Sequence, residues 1–209
     1  AMKLAPGTYY LVLNSSASAG FPAFGLAATV TIPSGGLTQD IQPSFAKITG
    51  KVTDQNGVGV SGVALDIGGT SPSGSEQTFS GWLSLNSYGK GQVVTTDSTG
   101  SYSAWGVLNG LHNIVVTPDK ASDYGGLLIT DLLVSSQTQT QNYTLQKSPS
   151  WKGVLRRPDG SGISGASLQF GDVGGVIGRH GSTVTDATGV FAMKLAPGTY
   201  YLVLNSSAS

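Results

Sequence analysis

The sequence predicts an all-β protein made of tandem antiparallel β-sandwiches, and three observations support this prediction. Apolar and polar side chains alternate at period two, as in Val63, Leu65 and Ile67, which is the pattern of strands with one buried face. Asx-Gly turn signals such as Asn56-Gly57 separate these segments, and no segment has helical periodicity. The chain also repeats itself at two levels, so we expect the sandwiches to be arranged in series.

The first repeat is an identical segment at each end of the sequence. Residues 1–18 and 192–209 both read AMKLAPGTYYLVLNSSAS, so the two copies are displaced by 191 positions. Chance does not produce an identity of this length. We therefore interpret the chain as slightly more than one period of a tandem array of near-identical units. An engineered duplication is the alternative explanation.

A second, more divergent repeat lies within that period. Residues 48–65 match 151–168 at an offset of 103, and 96–102 match 185–191 at an offset of 89. The difference between the two offsets corresponds to a 14-residue insertion in the first copy, between about residues 68 and 92.

These matches divide the chain into one complete sandwich and one that is split between the two ends. The complete one, the middle module, covers residues 46–150. The N-terminal strands of the split module lie at 151–209, its front half, and its C-terminal strands lie at 1–45, its back half. A module of about 100 residues is long enough to enclose its own core.

The strands follow in chain order from the alternation. Alternating segments predict strands at 9–13, 63–67 and 114–116. Two continuous apolar runs, 26–32 and 127–134, fit either fully buried strands or short helical turns, which periodicity alone does not distinguish.

Aspartate or asparagine followed by glycine marks the turns between these strands. Asx side chains cap such turns, and glycine accepts the positive φ that they require. A calcium site would need a denser set of oxygen ligands. Turn capping is therefore the favoured role for Asp54, Asp97, Asp159 and Asp186, and Gly100 is expected to hold a positive φ.

Both copies of the divergent repeat share an ordered set of motifs. In the first copy these are Gly50-Lys-Val52, Asn56-Gly57, Gly59-Val-Ser-Gly62 and Thr96-Asp97-Ser-Thr-Gly100-Ser-Tyr102. This set resembles the carboxypeptidase regulatory-like domain, a transthyretin-like Greek-key sandwich, and is similar to collagen-adhesin B-type repeats. The resemblance implies a seven-stranded fold and an accessory, spacer or display role on secreted and cell-surface proteins. It implies no catalytic residue.

Composition and charge exclude several functional classes. The 11 Lys plus Arg balance 11 Asp plus Glu, so the chain lacks the basic face that nucleic-acid binding needs. It has no apolar run long enough to span a membrane and no cysteine for a thiolate metal site or a nucleophile. His112 and His180 have no carboxylate or second histidine at ligand spacing, and we expect ordinary surface or turn residues there. We predict no enzyme, no catalytic residue, no metal and no cofactor.

The insertion in the first copy carries three aromatic residues among glycine and serine. Phe79, Trp82 and Tyr88 could stack on a sugar ring or contact a neighbouring module. Aromatic side chains in a long loop also cover their own sandwich, so both interpretations stay open. If they bind sugars, the chain belongs to an array of carbohydrate-binding modules on a secreted or surface protein.

The repeats and the resemblance together predict a structural role. We expect a repeat of an extracellular fibre, filament or adhesin stalk, located outside the cell or on its surface, whose partners are copies of itself. Each half of the split module should expose unpaired strand edges and half a core. The N-terminal segment of one chain would then complete the C-terminal half-module of the next, unless successive copies are joined covalently.

Overall fold

The computed structural model describes residues 3–16, 21–70, 80–85, 92–119, 121–172, 177–195 and 198–205. Within these residues the chain forms strands and no helix, which confirms the all-β prediction, and the two continuous apolar runs are strands β2 and β9. The described strands are β1 (Gly7–Ser15), β2 (Phe24–Ile32), β3 (Phe45–Asp54), β4 (Ala64–Thr70), β5 (Ser80–Ser84), β6 (Gln92–Thr95), β7 (Ser101–Val107), β8 (Gly110–Thr117), β9 (Gly126–Val134), β10 (Thr138–Thr140), β11 (Tyr143–Leu145), β12 (Ser150–Val154), β13 (Ser167–Asp172), β14 (Ile177–Val184), β15 (Val190–Lys194) and β16 (Tyr200–Asn205).

The middle module is a two-layer sandwich. In one layer β4 pairs with β6 and with β8, and β8 pairs in turn with β9. In the other layer β3 pairs antiparallel with β7 and, along its second edge, parallel with β10 and β11. This parallel pairing departs from the purely antiparallel sandwich expected from the turns, because the segment after β9 returns alongside β3 in the same direction.

Alternate side chains of the two layers meet in a single core. Ile48 and Val52 of β3, Leu65 of β4, and Ile114 and Val116 of β8 are fully buried in it. Burial of a side chain of this size stabilises the fold by about 1.5–3 kcal/mol. The period-two pattern therefore identified the inward face of β4 and β8 correctly.

The Asx turns predicted from the sequence are confirmed. The Asp97 carboxylate accepts the backbone N–H groups of Thr99 at 2.8 Å and of Ser101 at 3.0 Å, and Asp186 makes the equivalent bonds in the split module. These hydrogen bonds lower the pKa of Asp97; the bond from the Thr99 hydroxyl contributes most, and the two backbone N–H groups contribute less. Gly100, at the end of the turn, has a φ of 79° as expected.

The front half of the split module repeats the first part of the middle module strand for strand. β12 pairs with β15 as β3 pairs with β7. β13 pairs with β14 and β16 as β4 pairs with β6 and β8. A small cluster of Leu168, Phe170, Phe191 and Leu195 forms its core.

The back half forms the hairpin β1–β2, which packs against the middle module. β2 pairs along its second edge with β5 of the insertion, and Leu26 and Ala28 pack on Leu85 and Val107. The expectation of an exposed half core is therefore wrong for this hairpin, because the middle module covers its apolar face. Among the described residues, the outer edge of β1 has no paired strand, and residues 36–44 form no regular element.

Candidate assembly interface

The strand β8 of the middle module is the counterpart of the strand formed by the duplicated segment. It lies between β4 and β9 and pairs antiparallel with both. Val116 of β8 lies opposite Leu65 on one side and opposite Leu127 on the other. A complete sandwich of this type therefore uses both backbone edges of the strand.

The two copies of the duplicated segment each make one of these two pairings. Leu204 of β16 lies opposite Leu168 of β13, just as Val116 of β8 lies opposite Leu65 of β4. Leu13 of β1 is the identical residue in the other copy, and it lies opposite Leu26 of β2, as Val116 faces β9. One strand placed between β13 and β2 would reproduce both registers at once.

The larger sheet begins and ends on this same sequence. Its hydrogen-bonded order is β1-β2-β5-β4-β8-β9-β14-β13-β16, and each of its eight steps is antiparallel. An even number of antiparallel steps leaves β16 running in the same direction as β1. One strand superposed on both β1 and β16 would therefore have a single direction.

Each of the two boundaries between modules is formed by an antiparallel strand pair. At the first boundary β2 pairs with β5, with Gly25 opposite Ser84. At the second boundary β9 pairs with β14, with Gly126 opposite His180. Gly25 and Gly126 occupy equivalent positions. Gly25 directly precedes Leu26, which lies opposite Leu13 of β1, and Gly126 directly precedes Leu127, which lies opposite Val116 of β8. Both boundaries thus continue the sheet by antiparallel pairing, but in registers that differ by two residues: Gly25 aligns through Ser84 with Thr70, whereas Gly126 aligns through His180 with Gly171, the counterpart of Gly68.

The interior of the front half is open. A cavity of about 470 Å³ is lined by residues of both layers, including Trp151, Phe170, Leu195, Tyr200 and Leu202. All five are large apolar or aromatic side chains, so the cavity is suited to further apolar side chains rather than to a charged ligand.

Two side chains of β16 on the side of this cavity are exposed, whereas the corresponding side chains of β8 are buried. Leu202 and Leu204 are 48% and 42% exposed, whereas Ile114 and Val116, at the same positions of β8, are fully buried. Since the residue types are similar, the exposure reflects the neighbours that the front half lacks. The sequence prediction of half a core exposed at the split module is therefore confirmed for the front half.

An aromatic cluster joins the back half to the middle module. The Phe21 ring packs against Phe24, Phe45 and Trp105 at centroid distances of 6.3, 4.9 and 4.7 Å. The Lys47 ammonium lies 3.8 Å from the centroid of the Trp105 ring. Sequence reasoning missed this cluster, and the available signal was the concentration of phenylalanine close to the module boundary.

An ion pair joins the front half to the middle module. Lys194 Nζ donates to Asp123 Oδ1 at 2.7 Å and to the Ser122 carbonyl oxygen at 2.6 Å. Hydrogen bonding and charge from Lys194 lower the pKa of Asp123. Because Asp123 is exposed, this pair orients the boundary more than it stabilises it.

His112 is buried, so the expectation of a surface or turn histidine is wrong. Its Nε2 accepts the Val107 N–H at 2.9 Å, and its Nδ1 lies 3.1 Å from the Gly110 carbonyl oxygen. These contacts assign a neutral ring that carries its proton on Nδ1. Burial lowers the pKa of His112, because a charged imidazolium would lose its hydration.

The stability of the chain is expected to fall as the pH drops below about 6.5. The unfolded His112 takes up a proton near its ordinary pKa of 6.5, whereas the native ring resists protonation. The unfolding free energy should then decrease by up to about 1.4 kcal/mol per pH unit. His112→Gln should be less stable at neutral pH and show a flatter slope. Urea titrations between neutral pH and about pH 5 measure this, and equal slopes in both proteins would contradict it.

The three aromatic residues of the insertion fall outside what the structure describes. Phe79 and Tyr88 lie beyond the described residues, and Trp82 is described only as a backbone position of β5 opposite Ala27. Their contact with a ligand or a neighbour stays a prediction. In the described part of the chain, no group of three or more His, Cys, Asp or Glu side chains could hold a metal ion. The same part contains no helix that could cross a bilayer.

Sandwiches joined in series by a shared sheet thus define the class of this all-β protein. No family model matches the sequence, and no curated protein matches it. Among solved structures, the chain is similar to a streptococcal ancillary pilin, with 15% identity over 98% of this chain and 67% of that chain and a TM-score of 0.34. It is also similar to catechol 1,2-dioxygenase from Pseudomonas arvilla, with 12% identity over 60% of this chain and 57% of the enzyme and a TM-score of 0.36.

A third similar structure is the Bacillus anthracis TIE protein, with 11% identity over 98% of this chain and 43% of that chain and a TM-score of 0.30. The chain therefore spans less than two thirds of the dioxygenase and of the TIE protein. At these TM-scores the matches carry no argument about function.

Proposed function

We propose that this chain is a non-enzymatic structural repeat of an extracellular filament or stalk, in which one period completes the split module of the next. The observation that carries the proposal is the sheet that begins on β1 and ends on β16, two strands of identical sequence. In such an array, residues 192–209 of one period are residues 1–18 of the next. The extracellular location rests on the resemblance to carboxypeptidase regulatory-like modules.

The sheet gives this array a defined rise. Neighbouring strands lie about 4.8 Å apart, so the eight steps from β1 to β16 separate successive periods by about 38 Å. The usual twist of about 20–25° per strand adds up to about half a turn over that distance. The array is then a twisted rod whose length grows with the number of periods, and a hydrogen-bonded ladder at each boundary limits bending.

Hydrogen exchange in a chain of two periods tests the proposal. Residues 1–209 followed by a second copy of residues 19–209 contain the duplicated strand three times, once at each end and once in the centre. The end copies should protect only alternate amides, because one edge is paired. The centre copy should protect consecutive amides along residues 200–205, because it lies between β13 and β2.

The three copies are controls for one another, because identical sequences have the same intrinsic exchange rates. Segmental isotope labelling allows each copy to be observed separately by NMR. Alternate protection in the centre copy, equal to that of the ends, would overturn the proposal.

A further inference from the structure

We propose that residues 37–43 of the next period close the front half as a parallel strand along the outer edge of β12. In this register Leu37 faces the 470 Å³ cavity beside Trp151, Ile41 packs beside Leu155, and the Asp40 carboxylate accepts the Val154 N–H. This inference rests on the proposed function and specifies its contact. The occupant is a second period of this chain, whether or not it is joined covalently.

The middle module contains the same contact in complete form. β10 and β11 run parallel to β3, with Gln139 opposite Ile48 and Tyr143 opposite Val52. Tyr143 is buried in the core. The second layer of a complete module is therefore closed by the segment that follows the last strand of the first layer.

The segment after β2 matches the segment after β9 without a gap. Residues 32–43 align with 134–145 at a constant offset of 102. Thr38-Gln39 in the back half is identical to Thr140-Gln141 in the middle module. The back half thus carries the closing segment, separated from the front half that it fits.

Both sides of the proposed contact are open in this structure. Among the described residues, β12 pairs only with β15, and Trp151, the counterpart of Ile48, is 43% exposed. Ile41 is 38% exposed in a segment without regular structure, whereas its counterpart Tyr143 is 3% exposed. Leu37 is 46% exposed as well, and packing it at the cavity, with Ile41 beside Leu155, removes both side chains from water, which favours the contact.

A polar contact fixes the register of this strand. In the middle module the Lys51 N–H donates to Asn142 Oδ1 at 2.9 Å. The residues at the corresponding offsets are Val154 and Asp40. The exchange of asparagine for aspartate keeps the acceptor oxygen, and a backbone N–H is a suitable donor to a carboxylate.

A glycine allows the close approach of the two backbones. A Cβ on Gly50 would lie 1.7 Å from the Gln141 carbonyl oxygen, so only glycine fits at this position of β3. The corresponding residue of β12 is again a glycine, Gly153. The Phe191 ring, the counterpart of Tyr102, covers Gly153 in this structure, with Cζ 2.6 Å from a Cβ placed there, so the closing strand requires this ring to shift.

Disulfide trapping in the two-period chain tests the contact, and the sequence has no cysteine that would interfere. The register of the middle module places Thr38 of the second period opposite Lys152 of the first, and Gln42 opposite Arg156. We expect both matched pairs to oxidise, Thr38→Cys with Lys152→Cys and Gln42→Cys with Arg156→Cys. The crossed pair Thr38→Cys with Arg156→Cys is displaced by about 13 Å along the strand, beyond the reach of a disulfide.

The matched pairs should yield about tenfold more disulfide than the crossed pair under the same oxidant, measured by titration of free thiols. In the matched background, Asp40→Asn keeps the acceptor and should preserve trapping, whereas Asp40→Leu should reduce it. Matched pairs that stay reduced, or crossed pairs that oxidise equally, would overturn the inference. If hydrogen exchange shows the centre strand protected on both edges while the matched cysteine pairs stay reduced, the proposed function stands and only this inference is wrong. If the centre strand is protected on one edge only, the proposed function and this inference are both wrong.

Discussion

Replacing Gly100 by valine is expected to lower the unfolding free energy of the chain by about 3 kcal/mol or more. Gly100 has a φ of 79°, a left-handed conformation that costs an L-residue about 1–2 kcal/mol. A Cβ at this position would also lie 2.4 Å from the Val52 carbonyl oxygen and 2.8 Å from Gly59 Cα. Both are backbone atoms, so relief requires a strand to move rather than a side chain to rotate.

Gly57→Val is the matched control for this prediction. Gly57 has the same φ of 79°, but a Cβ there meets no heavy atom within 4 Å, so only the conformational cost of about 1–2 kcal/mol remains. Urea unfolding measures both variants, and equal losses would contradict the role of the backbone contact. Gly189→Val repeats the experiment in the split module, where φ is 80° and a Cβ would lie 2.5 Å from the Leu155 carbonyl oxygen.

Turns of this kind are predictable from sequence because they are local. Asp97 and Gly100 belong to one short segment, and the carboxylate of the first caps the N–H groups that the turn itself exposes. The alternation in Val63, Leu65 and Ile67 is equally local, and it placed the inward face of that segment correctly.

Contacts between distant segments were missed, because no local pattern encodes them. His112 was expected on the surface or in a turn, but its burial depends on Gly69 of the neighbouring strand, where a Cβ would lie 2.2 Å from the imidazole. The strand β5 lies in an insertion, and its existence depends on the edge that β2 offers to it. The parallel closing strands β10 and β11 likewise become visible only when the path of the chain after β9 is known.

The candidate interface was predicted in part. The identical segments at residues 1–18 and 192–209 and the split module are visible in the sequence. The use of opposite edges by the two copies is not, because an edge is assigned by the partner strand and not by the strand's own residues. The structure adds this information through the different partners of β1 and β16.

The same leucine is expected to matter little in the 209-residue chain and much in a chain of two periods. Leu202 is 48% exposed, so Leu202→Ala in the 209-residue chain should cost less than about 1 kcal/mol. In the centre copy of the two-period chain, this side chain lies where Ile114 lies in the middle module, fully buried. The same substitution there should cost about 2–5 kcal/mol, because it removes buried methyl groups and leaves a cavity.

Val203→Ala provides the control, since Val203 lies on the opposite face of the strand and its counterpart Val115 is half-buried in a complete module. Its cost should therefore differ little between the two chains. Urea unfolding of the parent and of both variants, in each chain length, gives the comparison. Leu202→Ala in the centre copy could lower the unfolding free energy by no more than it does in the 209-residue chain. That result would mean that β13 and β2 do not enclose the strand between them. The continuous sheet, and the array built on it, would then be wrong.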